Sequence, residues 1–336
     1  MSFDGRPRTI HGGRSQCPRL ASHWITVFLF LASAACQSGM TPSPNLAQSD
    51  LASAISEVIS TSSPVPSVTI ALLGDVMLGR TVRPSSETFS YLEPYLATAD
   101  LALANLESPL TNAPVQTESP YTLCAAPENV TYLADAGFDL LALSNNHSLD
   151  CGPKGLLETQ STLTAAGLGF IGPDPEPAYR VINGIRIAFL AFDATGIFNI
   201  QTAAQAVRSA REAGDIVVVS IHWGAEYQGG ASSSQKQIAG ELAEAGAALI
   251  WGHHPHVLQP SEWIYDGRTL VLYSLGNALF DQYGLEATRR SALVFVTLDS
   301  SGAQELEIVP FLIDFQDSRI VEADLEDAQV IMNYFK

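Results

Sequence analysis

Short apolar runs, each followed by a polar loop, recur along the chain from residue 68 onward. Six of them predict buried strands: Val68–Leu73, Leu101–Ala104, Phe138–Leu143, Ile216–Ser220, Ala248–Trp251 and Leu270–Tyr273. Between several of these runs, helical spacing of apolar residues predicts helices over Pro127–Ala136, Leu156–Ala166, Ala203–Ala213 and Gln235–Ala245. Continuous apolar strands that alternate with helices are typical of sheets buried on both faces, so the pattern predicts an α/β fold.

Polar side chains that can bind ligands or take part in catalysis follow directly after each predicted strand. They are Asp75, Asn105 with Glu107, Asn145 to His147, His222, His253 to His256, and Asn277. In α/β sheets, ligands bind at the edge formed by the carboxyl ends of the strands. Six such loops therefore predict one binding site at one edge.

The residue types in these loops indicate a metal site. The chain has seven histidines, and all five that follow residue 67 lie in the loops. Imidazole combined with carboxylate and amide oxygen suits Mn, Fe or Zn. The candidate metal ligands are Asp75, Glu107, Asn146, His222, His254 and His256. Six ligands predict two divalent ions rather than one, because four ligands would complete a single site.

Single residues of this set also have plainer interpretations. Asp75 after Gly74 suits a turn, and Asn105 or Glu107 suits a helix cap. His254 and His256 are different, because alternate residues of an extended segment point the same way. Because Pro255 fixes the segment between them, these two imidazoles are predicted to face one ion.

The first 36 residues have the pattern of an export signal. A leader with four arginines precedes the apolar run Ile25–Ala35, which is too short to cross a bilayer because a spanning helix needs about 20 residues. Ser33-Ala34-Ala35-Cys36 is similar to a lipobox, although Ser33 stands where Leu is usual. We expect a membrane-anchored lipoprotein that faces outside the cytoplasm. An ordinary cleaved signal and an uncleaved anchor are the alternatives.

Composition divides the rest of the chain into a tether and a domain. Residues 37–66 are rich in Ser, Thr and Pro and predict a flexible tether, and residues 67–336 predict the folded domain. The formal net charge of −18 would repel a phosphate backbone, so nucleic acid is excluded as a partner. In an oxidising compartment, Cys124 and Cys151 are either a disulfide or two buried thiols.

Six motifs, in order, resemble those of the CapA (poly-γ-glutamate capsule synthesis) family. They are Gly74-Asp75-Val76-Met77-Leu78-Gly79-Arg80, Asn105-Leu106-Glu107-Ser108-Pro109-Leu110-Thr111, Asn145-Asn146-His147-Ser148-Leu149-Asp150, His222-Trp223-Gly224 with Glu226-Tyr227, His254-Pro255-His256, and Tyr273-Ser274-Leu275-Gly276-Asn277. The resemblance runs from about Val68 to about Phe311. It implies kinship with calcineurin-like phosphoesterases, and hence a four-layer α/β/β/α sandwich around two metals.

The same resemblance implies roles for individual residues. His147 matches a histidine that acts as general acid or charge stabiliser. Met77 stands where many phosphoesterases have a metal-binding histidine, and a thioether is a poor ligand for hard metals. One metal site is therefore expected to be weaker, or to be completed by a neighbour such as Asn105. Arg80 either orients an anionic substrate group or pairs with a nearby carboxylate.

Two functions follow as expectations. The first is a metal-dependent hydrolase in the cell envelope that acts on a phosphoester or an anionic polymer such as poly-γ-glutamate, with His147 and Arg80 as its catalytic residues. The second is a non-catalytic, membrane-tethered component that binds an anionic polymer or the capsule assembly proteins.

Overall fold

The structure, a computed structural model, describes residues 65–336 except 118, 175 and 215. The predicted signal peptide, Cys36 and the tether up to residue 64 lie outside the described residues. Within the described part of the chain, no helix combines the length and apolar character needed to cross a membrane.

Fourteen strands form two mixed sheets in the described residues. In chain order they are β1 Ser67–Val76, β2 Leu101–Leu106, β3 Leu140–Ala142, β4 Gly169–Ile171, β5 Ala178–Ile182, β6 Ile185–Asp193, β7 Ile216–His222, β8 Ala247–His253, β9 Leu258–Ile264, β10 Thr269–Leu275, β11 Asn277–Leu279, β12 Arg290–Asp299, β13 Gly302–Asp314 and β14 Arg319–Glu322. The first sheet has the order β14-β13-β12-β1-β2-β3-β4, with β11 paired to β1, and the second has the order β5-β6-β7-β8-β10-β9.

Parallel pairing occupies one side of the first sheet and the middle of the second. In the first sheet, β1 to β4 run parallel, whereas β12, β13 and β14 are antiparallel additions. In the second sheet, β6, β7, β8 and β10 run parallel. The carboxyl ends of these parallel strands carry the polar loops that the sequence singled out.

Six helices accompany the strands in the same described residues. They are α1 Glu93–Leu96, α2 Val130–Ala136, α3 Gly152–Ala165, α4 Ile200–Glu212, α5 Ser233–Glu244 and α6 Leu325–Met332. Side chains that the sequence places just before α4 and α5 cap them: Asn199 accepts from two backbone amides of α4, and Ser232 forms a capping box with Gln235. The six predicted strands and the four predicted helices are confirmed.

Three apolar layers hold the sheets and helices together. Along β1, Val68, Ile70 and Leu72 face the second sheet, and Ala71 and Leu73 face the helices that cover the first. This alternation is the period of two of a strand buried on both faces. A third cluster packs α4 and α5 on the outer face of the second sheet. The predicted four-layer α/β/β/α sandwich is confirmed.

Two contacts bring the carboxyl edges of the sheets together. The indole Nε1 of Trp251 on β8 donates a 2.9 Å hydrogen bond to the carbonyl of Leu73 on β1. One residue later, a Cβ at Gly74 would lie 1.9 Å from the carbonyl oxygen of Gly276, so only glycine permits this approach. Asp75 therefore enters the space between the sheets beside the loop that follows β8.

Candidate metal centre

Asp75 lies fully buried at the centre of the shared edge. Its Oδ1 accepts from the amide of Asn105 at 2.8 Å and lies 3.3 Å from Nδ1 of His253. Its Oδ2 accepts from the backbone amide of His254 at 3.2 Å and lies 3.4 Å from Nδ1 of His256. Burial alone would raise the pKa of Asp75, but hydrogen bonds and charge from His253 and His256 hold it well below its usual range. The carboxylate is therefore ionised.

Glu107 is also fully buried, yet neither of its carboxylate oxygens has a hydrogen-bond partner among the described residues. Its Oε1 lies 3.8 Å from Nε2 of His222, 3.8 Å from Nε2 of His256 and 3.9 Å from Nε2 of His147. These distances are too long for hydrogen bonds. They leave room for an ion that bonds a carboxylate oxygen and an imidazole nitrogen at about 2 Å each.

Other buried polar atoms around Glu107 lack partners as well. Within the described chain these include Nε2 of His222, Nε2 of His253 and Nδ1 of His254. An unpaired buried polar atom is costly, and such atoms are rare in folded proteins. Several in one place, all of them donor types that bind Mn, Fe or Zn, fit a divalent metal site.

The protonation of the histidines follows from their surroundings. Burial lowers the pKa of His222 well below its usual value, and burial with the charge of His256 lowers the pKa of His254. These imidazoles are neutral and have lone pairs for a metal. Burial would also lower the pKa of His256, but Glu107 and Asp75 raise this pKa to about 9.

Two groups of ligand atoms are each compact enough to hold one ion. The first consists of Asp75, Glu107 and His222, all buried. The second consists of the buried His254 and His256 with the exposed Glu226. Within each group the ligand atoms lie within 4.8 Å of one another.

Of the six predicted ligands, the structure brings five together but not Asn146. The side chain of Asn146 is exposed, whereas that of the preceding Asn145 is buried. The Asn145 amide donates to Oδ1 of Asn105 at 3.2 Å and to the carbonyl of Leu106 at 2.9 Å. Asn145 therefore replaces Asn146 as the asparagine of this loop that faces the cluster formed by Asp75, Glu107 and the histidines.

The path of the histidine segment also differs from the expectation. An extended segment was predicted, but His254 and His256 have φ values of +92° and +57°, so the backbone bends at both. The rings still converge, with centroids 6.0 Å apart, and the His254 ring lies 4.9 Å from that of His222. The convergence comes from the bends rather than from strand alternation.

His147 and Arg80 lie on the more exposed side of the cluster. Nδ1 of His147 lies 2.9 Å from Oδ2 of Asp150, which leaves Nε2 directed at Glu107. The Arg80 guanidinium forms a two-point ion pair with Asp281 and lies over the ring of Phe280. The pairing alternative for Arg80 is thus observed, although 27% of its side chain remains exposed.

Neither Met77 nor Asn105 supplies the metal ligand that the first motif lacks. Met77 is fully buried in the outer apolar layer, and its sulfur accepts from the amide of Gly79, so it does not reach the cluster. The Asn105 side chain is used at both ends, because it donates to Asp75 and accepts from Asn145. Asn105 positions Asp75 instead of taking the place of a histidine ligand.

Sequence reasoning assigned no role to several residues that hold or complete the cluster. Oδ1 of Asn277 lies 2.9 Å from Nδ1 of His256, and its amide donates to Gln282. Gln282 in turn donates to the hydroxyl of Tyr227. The signals were present, since Asn277 follows the buried strand β10 and Glu226 follows His222-Trp223-Gly224.

Cys124 and Cys151 form a disulfide, which settles the alternatives left open by the sequence. The bridge lies beside the loop of His147. Asp150, next to Cys151, accepts from the backbone amide of Leu123 at 2.8 Å with the same oxygen that contacts His147. The disulfide therefore supports the residue that orients His147.

Comparison with known proteins gives a consistent set of relatives. Residues 69–282 match the family described as "Bacterial capsule synthesis protein PGA_cap". The chain is 35% identical to the "PGA biosynthesis protein CapA" of Bacillus subtilis (strain 168), over 71% of this chain and 70% of that protein. It is 32% identical to the "Capsule biosynthesis protein CapA" of Bacillus anthracis, over 78% of this chain and 72% of that protein.

A similar fold occurs in a hypothetical protein from Thermus thermophilus. Its crystal structure matches 73% of this chain and 99% of its own, with a TM-score of 0.52 and 16% sequence identity. At that identity the likeness concerns the fold alone.

Proposed function

The chain belongs to the PGA_cap family of bacterial capsule synthesis proteins, and on that premise we propose that it is a metal-dependent hydrolase of the cell envelope. Its substrate is an anionic polymer of the poly-γ-glutamate type or a phosphoester. The names of the two Bacillus relatives, a PGA biosynthesis protein and a capsule biosynthesis protein, support a role in capsule synthesis.

The observation that carries the proposal is the environment of Glu107. A buried carboxylate without hydrogen-bond partners, faced by three imidazole nitrogens at 3.8–3.9 Å, is unfavourable unless a cation binds there. Burial raises the pKa of Glu107 well above its usual range, which reflects the cost of this charge without a cation. Divalent Mn, Fe or Zn suits the donor set.

In the proposed site, Asp75, Glu107 and His222 hold one ion, and His254 and His256 hold a second. Bound divalent ions activate water and neutralise charge on the substrate. His147 lies at the open side, where Asp150 fixes its ring and leaves Nε2 to hold or move a proton. This arrangement supports His147 as the general acid or charge stabiliser.

Room for a substrate lies beside the cluster. A cavity of about 420 Å³ is lined by residues that include Asn145, Asn146, Asp193 and Phe198. Asp193 is the register neighbour of His222 across β6 and β7, so the cavity adjoins the proposed metals. Arg80, held by Asp281 and partly exposed, supplies a positive charge for an anionic substrate group.

Hydrolysis assays test the proposal. Metal-loaded protein is offered poly-γ-glutamate and a phosphoester, with Glu107→Gln as the inactive reference, because the amide keeps the shape of the side chain but removes its charge. We expect turnover of one substrate class by the wild type and its loss in the variant. Metal-loaded protein that turns over neither class contradicts the hydrolase proposal.

The burial of Met77 favours a second candidate, a non-catalytic component that binds an anionic polymer or the capsule assembly proteins. The methionine leaves the first motif without its usual imidazole ligand. For this candidate we expect poly-γ-glutamate to bind the metal-loaded protein and to be recovered at unchanged length. Shortened polymer would exclude it.

We also propose anchoring at the outer face of the membrane through lipid on Cys36, on the basis of the lipobox-like sequence before it. Cys36→Ser, expressed behind an ordinary signal peptide, should move the protein from the membrane fraction to the soluble fraction. Intact-mass analysis that shows an unmodified mature terminus in the wild type would contradict the anchor.

A further inference from the structure

The exposed carboxylate of Glu226 stands out among the buried members of the cluster. We propose that Glu226 is an exchangeable ligand of the ion held by His254 and His256, and that a carboxylate of the substrate displaces it. This inference rests on the proposed function and names its substrate class, a polymer that carries carboxylates. Glu226 keeps the second ion coordinated until such a polymer arrives.

The geometry places Glu226 at the open side of the second group. One of its oxygens lies within 4.8 Å of ring nitrogens of both His254 and His256. His254 is nine-tenths buried, and its Nδ1 has no partner among the described residues. Glu226 itself is exposed, so it is the member of this group that can swing away without opening the core.

The loop that carries Glu226 is bent back towards the histidines. Gly224 and Tyr227 both have positive φ, +88° and +62°, on either side of Glu226. The amide of Tyr227 donates a 2.8 Å hydrogen bond to the carbonyl of Pro255, which lies between the two histidines. The Tyr227 hydroxyl accepts from Gln282 at 3.2 Å. The amide contact holds the backbone at Tyr227, and the exposed side chain of Glu226 lies outside the packed core.

The surroundings of Glu226 suit a second carboxylate. The Tyr227 hydroxyl, which accepts from Gln282, also carries a proton that it can donate to a carboxylate. The partly exposed Arg80 guanidinium lies over Phe280, whose ring packs against His256, so it contributes positive charge near the second group. An incoming carboxylate thus meets a cation and a hydroxyl donor beside the second ion.

The exchange balances in charge, because one carboxylate leaves the ion as another binds. A polymer of γ-linked glutamate carries a free carboxylate on every residue, so each segment that enters the site offers the required group. A phosphate ester without a carboxylate would meet the same ion but would not reproduce the group that it replaces.

Calorimetric titration of the metal-free protein with Mn²⁺ or Zn²⁺ tests whether Glu226 is a metal ligand. We expect Glu226→Gln to weaken binding of the second ion about tenfold and to leave the first unchanged. Glu226→Asp keeps the charge but shortens the side chain, so it should also weaken the second ion. Glu244→Gln, at the opposite end of the sheet on α5, removes an equal charge and should bind as the wild type does.

The exchange itself is tested with γ-glutamyl-glutamate as the probe, at metal concentrations that saturate each protein. Without the internal competitor, Glu226→Gln should bind this dipeptide several-fold more tightly than the wild type. Unchanged dipeptide affinity overturns the exchange. Unchanged affinity for the second ion in Glu226→Gln, or wild-type affinity in Glu226→Asp, overturns the ligand role. A wild type that binds no metal overturns the proposed function itself.

Discussion

Oδ1 of Asn277 lies 2.9 Å from Nδ1 of His256, and this contact sets the direction of the His256 ring. The amide nitrogen of Asn277 is used by the carbonyl of Thr288 and by Gln282, so the oxygen faces the histidine. Nδ1 of His256 therefore donates, and Nε2 is the ring nitrogen that faces Glu107. An outer hydrogen bond of this kind fixes the tautomer of a metal-binding imidazole.

Asn277→Ala should weaken metal binding by about 10-fold to 100-fold, because His256 loses the acceptor that orients it. Far-UV circular dichroism should be unchanged. Asn333→Ala, at the end of α6, removes a surface amide and serves as the control. Equal metal affinity in Asn277→Ala and the wild type would show that Asp75 alone orients the ring.

His147→Ala should separate catalysis from metal binding. His147 lies at the open side with its Nε2 3.9 Å from Glu107, while the buried residues hold the ions. We expect metal content to stay at the wild-type level and hydrolysis to slow by about 100-fold to 10,000-fold, the range for loss of a general acid. Loss of metal in this variant would make His147 a ligand instead.

The disulfide should contribute measurably to stability. It joins cysteines 27 residues apart, and the chain-entropy model gives roughly 3–4 kcal/mol for a loop of this size. The double variant Cys124→Ser, Cys151→Ser should therefore unfold at a lower urea concentration. Reduction of the wild type should reproduce the shift and leave the variant unaffected. A variant as stable as the wild type would contradict this contribution.

Asp281 should make stability depend on pH in the acidic range. Burial would raise its pKa, but hydrogen bonds from Arg80 and Thr81 hold this pKa below its usual value. Its ionised form thus stabilises the fold fully above the unfolded pKa, near 3.9. That contribution is lost as pH falls through the lower, folded pKa.

Urea unfolding midpoints measured at a series of pH values below about 5 check this. The wild type should lose stability more steeply than Asp281→Asn as pH falls, and the two curves should converge at the acidic end. Parallel curves would show that the Arg80–Asp281 pair has no net effect. A weaker affinity of Asp281→Asn for anionic substrate would reflect a less firmly held Arg80.

The sequence predicted the parts of this site that depend on strands. Asp75, Glu107 and His222 follow continuous apolar runs, and the carboxyl ends of parallel strands must meet at one edge. The two-sheet sandwich itself followed from the family resemblance, because the alternation of strands and helices does not determine how the strands are divided between two sheets.

The parts of the site that depend on the paths of the loops could not be predicted from the sequence. Asn145 and Asn146 are chemically identical neighbours, and only the turn after β3 decides which one faces inward. Glu226 reaches the histidines because the Tyr227 amide binds the Pro255 carbonyl, a contact between loops of different strands. The bends at His254 and His256 likewise arise from tertiary contacts, since a histidine by itself does not predict a positive φ.

Elemental analysis of the protein, purified without added metal and then incubated with Mn, Fe or Zn, tests the central claim most directly. The unpartnered carboxylate of Glu107 among three imidazoles predicts bound metal, two ions per chain at saturation, and a clear reduction in Glu107→Gln. Wild-type protein that stays metal-free with all three metals would contradict the account.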